Sequence, residues 1–251
     1  MLPAKRHENI LKYVNKYKTG SVDDLSNLLH VSKITVRRDL DELSAKGLLL
    51  RTHGGAISVY SYLAVEIPST EKSSLFIEEK RRMGKAAADL INDDDIIVLD
   101  SGTTTFEIAK NLHNQVTVIT NDLKIAMELS LKDFVTLYIT GGLVENNLFS
   151  TIGKSTENFF NEFHADKSFL GADAISLKYG ITNRTVSQVP IKRSIAMSGA
   201  LKIVVADHSK FEKEVFVNVG LLDEIDVIIT DKMDDDYKKK YEDLGIKIIL
   251  A

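Results

Sequence analysis

Seven short apolar runs recur between residues 96 and 250, several of them separated by helical stretches of about ten residues, and nothing else in the chain restricts its fold as strongly. The runs are Ile96–Leu99, Val116–Thr120, Val135–Thr140, Lys167–Leu170, Ile203–Ala206, Val227–Thr230 and Lys247–Leu250. A run such as Ile96–Leu99 has no polar alternation, which is the pattern of a strand covered on both faces. Helices are expected at Ile77–Ile91, Thr104–Leu112, Leu123–Leu131, Thr151–Phe163 and after Pro190. Strands and helices in alternation specify an α/β fold, a Rossmann-like and mostly parallel sheet with helices on both sides.

The N-terminal residues follow a different pattern. Arg6–Lys18 reads as a helix whose Ile10, Leu11 and Val14 pack inward, and Gly20 stops it. Ser21 caps a second helix with Asp23 and Asp24 in its first turn, where the helix dipole favours them, and with Leu25, Leu28 and Leu29 on its buried face. After a short turn at His30-Val31, Ser32 caps a third helix in which Val36, Leu40 and Leu43 form one apolar stripe. The other side carries Lys33, Ile34, Thr35, Arg37 and Arg38, a cationic surface within two turns of the N-terminus. Gly47 suits the left-handed position that ends the helix. Leu48–Ile57 then reads as two short strands around His53-Gly54-Gly55, a hairpin. Two helices joined by a tight turn and followed by a hairpin form a winged helix-turn-helix, whose second helix enters the major groove.

Charge is divided unevenly along the chain. Residues 1–57 hold ten Lys and Arg against six Asp and Glu, and the remainder holds 22 against 30. A basic head on an acidic body is an electrostatic footprint for nucleic acid that the whole-chain pI of 5.9 conceals. With 251 residues the chain accommodates a small domain and a larger one. The boundaries expected are a DNA-binding domain at 3–58, a linker at 59–75 marked by Pro68 and several Ser and Tyr, and an α/β domain at 76–251.

Ligands of parallel sheets bind beyond the carboxyl ends of the strands. The first apolar run is followed by Asp100-Ser101-Gly102-Thr103-Thr104-Thr105 and a helix, a set of hydroxyls and backbone N–H groups suited to a phosphate. Later runs end in Thr120-Asn121, Gly141-Gly142, Gly171-Ala172-Asp173 and Asp207-His208-Ser209-Lys210. A single polar strand end is an ordinary turn; five on one sheet edge point to a ligand site.

The stretch VSKITVRRDLDELSAKGLLLRTHGGA resembles the signature of the DeoR family of bacterial transcriptional regulators, above all in TVRRDL, the L-x-x-x-G-L step and R-x-HGGA. The likeness continues through most of the chain: DSGTTT at 100–105, TN at 120–121, GG at 141–142, GAD at 171–173, GIT at 180–182, KR at 192–193 and AD-x-SKF at 206–211 resemble that family's C-terminal sensor domain, which is related in fold to sugar-phosphate isomerases. The resemblance implies DNA contacts from Ser32, Lys33, Thr35, Arg37 and Arg38 on the recognition helix, and from Arg51 and His53 on the wing. It also implies a phosphorylated sugar whose phosphate sits on Ser101, Gly102, Thr103, Thr104 and Thr105, with Asp100, Asn121, Gly141, Gly142, Asp173, Lys192 and Lys210 around it. Two departures stand out: Ile34 occupies a place where the family more usually has a polar residue, and residues 183–190 lack the acidic side chains many members carry there.

The function expected is that of a sequence-specific DNA-binding regulator, most simply a repressor of a sugar catabolism operon controlled by a phosphorylated sugar, with activation as the other sense. The alternative is an isomerase-like enzyme with an autoregulatory DNA-binding head, using Asp173 and Lys192 for proton transfer. Residues 183–190 contain no carboxylate to act as partner, so binding without turnover is expected. One recognition helix reads only a few base pairs, so a dimer or tetramer on repeated half-sites is expected as well. The chain has no cysteine, its six histidines have no metal-ligand spacing, and no cofactor beyond the sugar phosphate is implied. With no leader pattern and no apolar run of membrane-spanning length, a cytoplasmic protein is expected.

Overall fold

A computed structural model describes residues 2–46, 48–52, 54–58, 68–220 and 222–251, which fall into two compact units, Met1–Leu75 and Phe76–Ala251. Gly47, His53 and residues 59–67 of the expected linker lie outside the described residues.

The first unit is built from α1 (Pro3–Tyr17), β1 (Thr19–Ser21), α2 (Val22–Leu29), α3 (Lys33–Ala45), β2 (Leu49–Arg51) and β3 (Gly55–Ser58), with one further helical turn, α4 (Ser69–Lys72), inside the stretch read as linker. α1 starts three residues earlier than its apolar period, because Pro3 at the first helical position has a backbone already set for a helix. Ile10, Val14, Leu25, Val36, Leu40 and Leu43 are fully buried together, whereas Leu11 is only partly covered. Leu28 is half-exposed, contrary to the sequence reading: the buried positions of α2 are Val22, Leu25 and Leu29, and Leu28 is rotated off that stripe. β1 joins the hairpin in a three-stranded antiparallel sheet, order β1-β3-β2. A Cβ at position 55 would lie 2.1 Å from the Gly20 carbonyl oxygen, so only glycine lets these strands close.

The second unit contains α5 (Ile77–Ala88), β4 (Ile96–Leu99), α6 (Thr103–Lys110), β5 (Val116–Thr120), α7 (Leu123–Leu129), β6 (Val135–Ile139), β7 (Leu143–Glu145), β8 (Ser150–Ile152), α8 (Lys154–Asn161), β9 (Ala165–Leu170), β10 (Ala174–Ser176), β11 (Gly180–Asn183), α9 (Val189–Ser198), β12 (Gly199–Val205), β13 (Val217–Gly220), β14 (Val227–Thr230), α10 (Asp235–Glu242) and β15 (Lys247–Leu250). Seven strands form one parallel sheet in the order β15-β14-β12-β9-β4-β5-β6. Side chains alternate between two cores. Ile97, Leu99, Val118, Ile203 and Ile229 face α5, α6 and α7 through Met83, Ile108 and Ile125. Val98, Ile119, Leu170, Val204 and Ile228 face α8, α9 and α10 through Phe160, Ile195 and Tyr241. From β4 the chain builds outward to β6, then returns to β9 and builds the other way, so the strand order reverses between β4 and β9.

Three parts of this unit were not read from the sequence. Residues 151–163 are not one helix: Thr151 and Ile152 pair in the β7–β8 hairpin, and Gly153, at φ +103°, separates that strand from α8. β10, β11 and β13 form a small antiparallel sheet whose pairings, such as Asn183 with Val217, join distant segments. α10 is polar except for buried Tyr241 and has no apolar period; Asp234 caps it by accepting from the Asp236 N–H at 3.0 Å. Among the described residues, no helix is long and apolar enough to cross a membrane.

Candidate functional site

In the first unit, the turn between α2 and α3 is set by His30 in the left-handed conformation and by Ser26, whose hydroxyl donates to the Val31 carbonyl at 2.6 Å. Ser32 then accepts from the Thr35 N–H at 3.2 Å and shares a 3.0 Å bond with the Thr35 hydroxyl, fixing the first turn of α3. Ser32, Lys33, Ile34, Arg37 and Arg38 are exposed and Thr35 is half-buried. Lys33 pairs with Asp23 at 2.8 Å, and Arg38 lies 3.8 Å from Glu42, both on open surface where such pairs are weak and readily exchanged for a phosphate. Arg51, expected to reach DNA from the wing, has partners within the unit. Its guanidinium donates to Asp41 at 2.7 Å and to the carbonyls of Thr52 and Gly55, each at 2.7 Å, so it fastens the wing to α3.

The reading helix is also held from behind. Arg6 of α1 forms a two-pronged pair with Asp39 of α3, and His7 adds a bond at 3.1 Å. Burial pushes the Asp39 carboxyl up, but the hydrogen bonds from Arg6 and His7 outweigh it and hold the group below the usual carboxylate range. Asp39 sits beside Leu40 and three residues after Val36, on the buried stripe. A carboxylate there requires a buried partner, and that was the signal available in the sequence.

In the second unit, the strand order reverses between β4 and β9, and the loops after both strands meet at the carboxyl edge. The Asp100 carboxylate accepts from the Gly171 N–H at 3.0 Å and from Lys192 of α9 at 2.5 Å; the same ammonium donates to the Gly171 carbonyl at 2.8 Å. Asp100 and Lys192 are buried, so this pair ties the two loops to α9. Asp173 accepts from the backbone and guanidinium of Arg184, a residue outside the expected set of site residues. Neighbouring side chains continue the chain of bonds. Asn183 donates to Gln188 at 3.2 Å, and Ser187 and Gln188 donate to Glu145 of β7 at 3.0 and 2.9 Å.

The loop 101–105 divides in two. Ser101, Gly102 and Thr103 are half-open, while Thr104 and Thr105 are buried and the Thr105 hydroxyl donates to the Gly102 carbonyl at 3.0 Å. Among the described residues no side chain caps α6, which leaves its first-turn N–H groups and the positive end of the helix dipole directed at this loop. Asn121 donates to the Thr151 carbonyl at 3.0 Å, and its Oδ1 is buried with no hydrogen-bond partner among the described residues. Gly142 has a packing role: at φ +145°, a Cβ there would lie 2.3 Å from the Thr156 hydroxyl, which itself donates to the Gly141 carbonyl at 2.7 Å. Lys210 is buried in the turn after β12, and burial brings its ammonium down to about 7, with Lys213 adding like-charge repulsion.

Asp122 was missed in the sequence because it reads as an ordinary helix cap. It caps α7 through the N–H groups of Lys124 and Ile125 at 2.7 and 3.0 Å, and it also accepts from the Gly102 backbone, joining β5 to the loop. Burial raises its carboxyl to about 6 despite these bonds. The folded chain therefore holds this proton more tightly than the unfolded chain, so ionisation costs stability above about pH 6 and the penalty fades as pH falls toward 4. Asp122→Asn, which keeps the accepting oxygen, is expected to stabilise the unit at pH 8 by on the order of 2 kcal/mol and to change little near pH 4. Urea denaturation at both pH values checks this.

Comparison with known proteins matches both units. Residues 6–61 match the model of the DeoR-like helix-turn-helix domain, and residues 75–232 match that of the DeoR C terminal sensor domain. The chain is 33% identical over 252 residues to the HTH-type transcriptional regulator GlpR of Haloferax volcanii, covering 99% of this chain and 98% of that one. It is 31% identical over 233 residues to the glycerol-3-phosphate regulon repressor of Escherichia coli K12, covering 92% of each. Among solved structures, ribose 5-phosphate isomerase A of Methanocaldococcus jannaschii aligns with 54% of this chain and 55% of its own at 19% identity, with a TM-score of 0.40.

Proposed function

This chain belongs to the DeoR family of DNA-binding transcriptional regulators, and from that membership we propose that it represses a sugar catabolism operon under the control of a phosphorylated sugar. The observation that carries the ligand class is the uncapped N-terminus of α6 at the point where the strand order reverses, with Ser101, Gly102 and Thr103 half-open around it. A phosphate would supply the missing cap and meet a positive dipole end. The orphaned Asn121 Oδ1 is held as an acceptor by its own amide bond to Thr151, and it suits a donor such as a sugar hydroxyl. The similarity to a repressor named for glycerol 3-phosphate supports a small phosphorylated metabolite.

A thermal-shift series with phosphorylated sugars and their unphosphorylated counterparts tests this. Stabilisation by phosphorylated compounds alone is expected. A response to the neutral sugars, or to none of the compounds, overturns it.

Binding without turnover is favoured over an isomerase-like activity. Asp173, the carboxylate in question, is engaged by Arg184, and residues 183–190 add no second one. Product formed from any sugar phosphate by the purified protein overturns that preference.

On the DNA side, Arg37 and Arg38 are proposed to contact base edges and Lys33 the backbone, from two or more copies of the chain. Arg38→Ala is expected to weaken operator binding about 10- to 100-fold, since one bidentate base contact is worth ~1–3 kcal/mol, with the melting temperature unchanged. Binding titrations against the operator and a scrambled duplex read the loss of specificity.

A further inference from the structure

β6 is the least protected strand of the parallel sheet. Among the described residues it pairs only with β5, so one side of its main chain faces outward. None of its five residues is buried, whereas all four of β14 are. Parallel strands ordinarily have both faces covered, and open edges of monomers are blunted by lysine, proline or a bulge. From Phe134 to Val144 the chain has neither a charged residue nor a proline, while the opposite edge strand β15 begins with exposed Lys247. Exposed apolar side chains lie on both faces of β6, at Tyr138 and Ile139, and on the segments next to it in the chain, at Leu143 and Val144 of β7 and at Met127 and Leu131 on and just after α7. Exposure reaches 73% at Met127, 83% at Leu131 and 71% at Leu143.

We propose that this edge is where two copies of the chain associate, with β6 of each lying antiparallel to the other about a two-fold axis. A second copy is the fitting occupant on two grounds. Taken at ~150–200 Å² each when fully open and scaled by exposures of 42% to 83%, the six groups offer on the order of 600 Å². The outward main chain adds to this, approaching the ~800 Å² that each partner gives to a standard interface. An antiparallel pair across a two-fold axis also satisfies both open edges at once and leaves none for further growth. The inference deepens the reading of a regulator that acts as an oligomer and depends on that reading only for the need of a second copy.

Sedimentation velocity over a wide concentration range tests it, comparing the full chain with an Ile139→Lys, Leu143→Lys double variant. The wild type is expected to dimerise, and the variant to dissociate about 100-fold or more readily, with its melting temperature at high dilution unchanged because both side chains are exposed. Hydrogen exchange gives a second readout: the β6 amides that point away from β5 are protected in the wild-type dimer and exchange freely in the variant, while those bonded to β5 are protected in both. A monomeric wild type, a variant that dimerises as well as the wild type, or a dimer with those outward β6 amides unprotected overturns the proposal. Affinity for a duplex carrying a single half-site selected in vitro is expected to be the same for both proteins, so a failure of association is distinguishable from a failure of DNA reading.

Discussion

Asp39→Ala is expected to destabilise the N-terminal unit by about 3–5 kcal/mol, the usual consequence of removing one partner from a buried ion pair. Most of that penalty comes from what remains. Arg6 is only 5% exposed, and without Asp39 its guanidinium keeps its charge in an apolar surrounding with its principal acceptor gone. The side chain also holds α1 against α3, so the loss would fall on the element that presents Arg37 and Arg38. A small domain has few kcal/mol to lose, and the expected result is loss of DNA binding through unfolding of the first unit. Denaturation followed by tyrosine signals confined to each unit reads this as an early transition of the first unit with the second unchanged. The double replacement Arg6→Met, Asp39→Leu, which removes both charges and fills the space, is expected to recover most of the stability. If it does not, the pair is not the source of the effect.

Lys192→Met is expected to have an effect of similar size in the second unit and a different signature. Asp100 is 1% exposed, and its carboxylate would keep only the Gly171 N–H as partner. Removing the ammonium costs about 3–5 kcal/mol if the carboxylate stays ionised, less if it takes up a proton. The two loops that meet at the sheet reversal are joined through this ammonium, so their separation would widen where a phosphate is proposed to sit. Loss of thermal stability together with loss of any shift by phosphorylated sugars is therefore expected. Asp100→Asn combined with Lys192→Met should restore much of the stability without restoring the response. A Lys192→Met protein that keeps both its melting temperature and its ligand shift would show that the pair neither stabilises the unit nor positions the site.

Much of the architecture was legible because it depends on near neighbours in the chain. Strand–helix alternation identified the seven strands of the parallel sheet, and four of them, Ile96–Leu99, Val116–Thr120, Val227–Thr230 and Lys247–Leu250, coincide with the apolar runs residue for residue. The caps at Ser21 and Ser32 were legible for the same reason, since the accepting hydroxyl and the N–H it caps lie three residues apart. Leu28, the β7–β8 hairpin and α10 were misread or missed where the local pattern was ambiguous. Thr151-Ile152 suits a strand as well as a helix start, and a polar helix has no period to detect.

The candidate site was legible as a set of loops and not as a set of partners. The sequence by itself determined which segments are strands, that their carboxyl ends carry small and polar side chains, and that a cationic helix follows a capped turn near the N-terminus. Only the tertiary structure decided that Asp100 serves Lys192, 92 positions away, and that Asp39 serves Arg6, 33 positions away. It also decided that Arg184 engages Asp173, and that Arg51 holds the wing. The physical reason is range. Periodicity and capping act within a few residues and leave their mark in the sequence, whereas a buried charge takes whichever opposite charge the packed fold brings within reach.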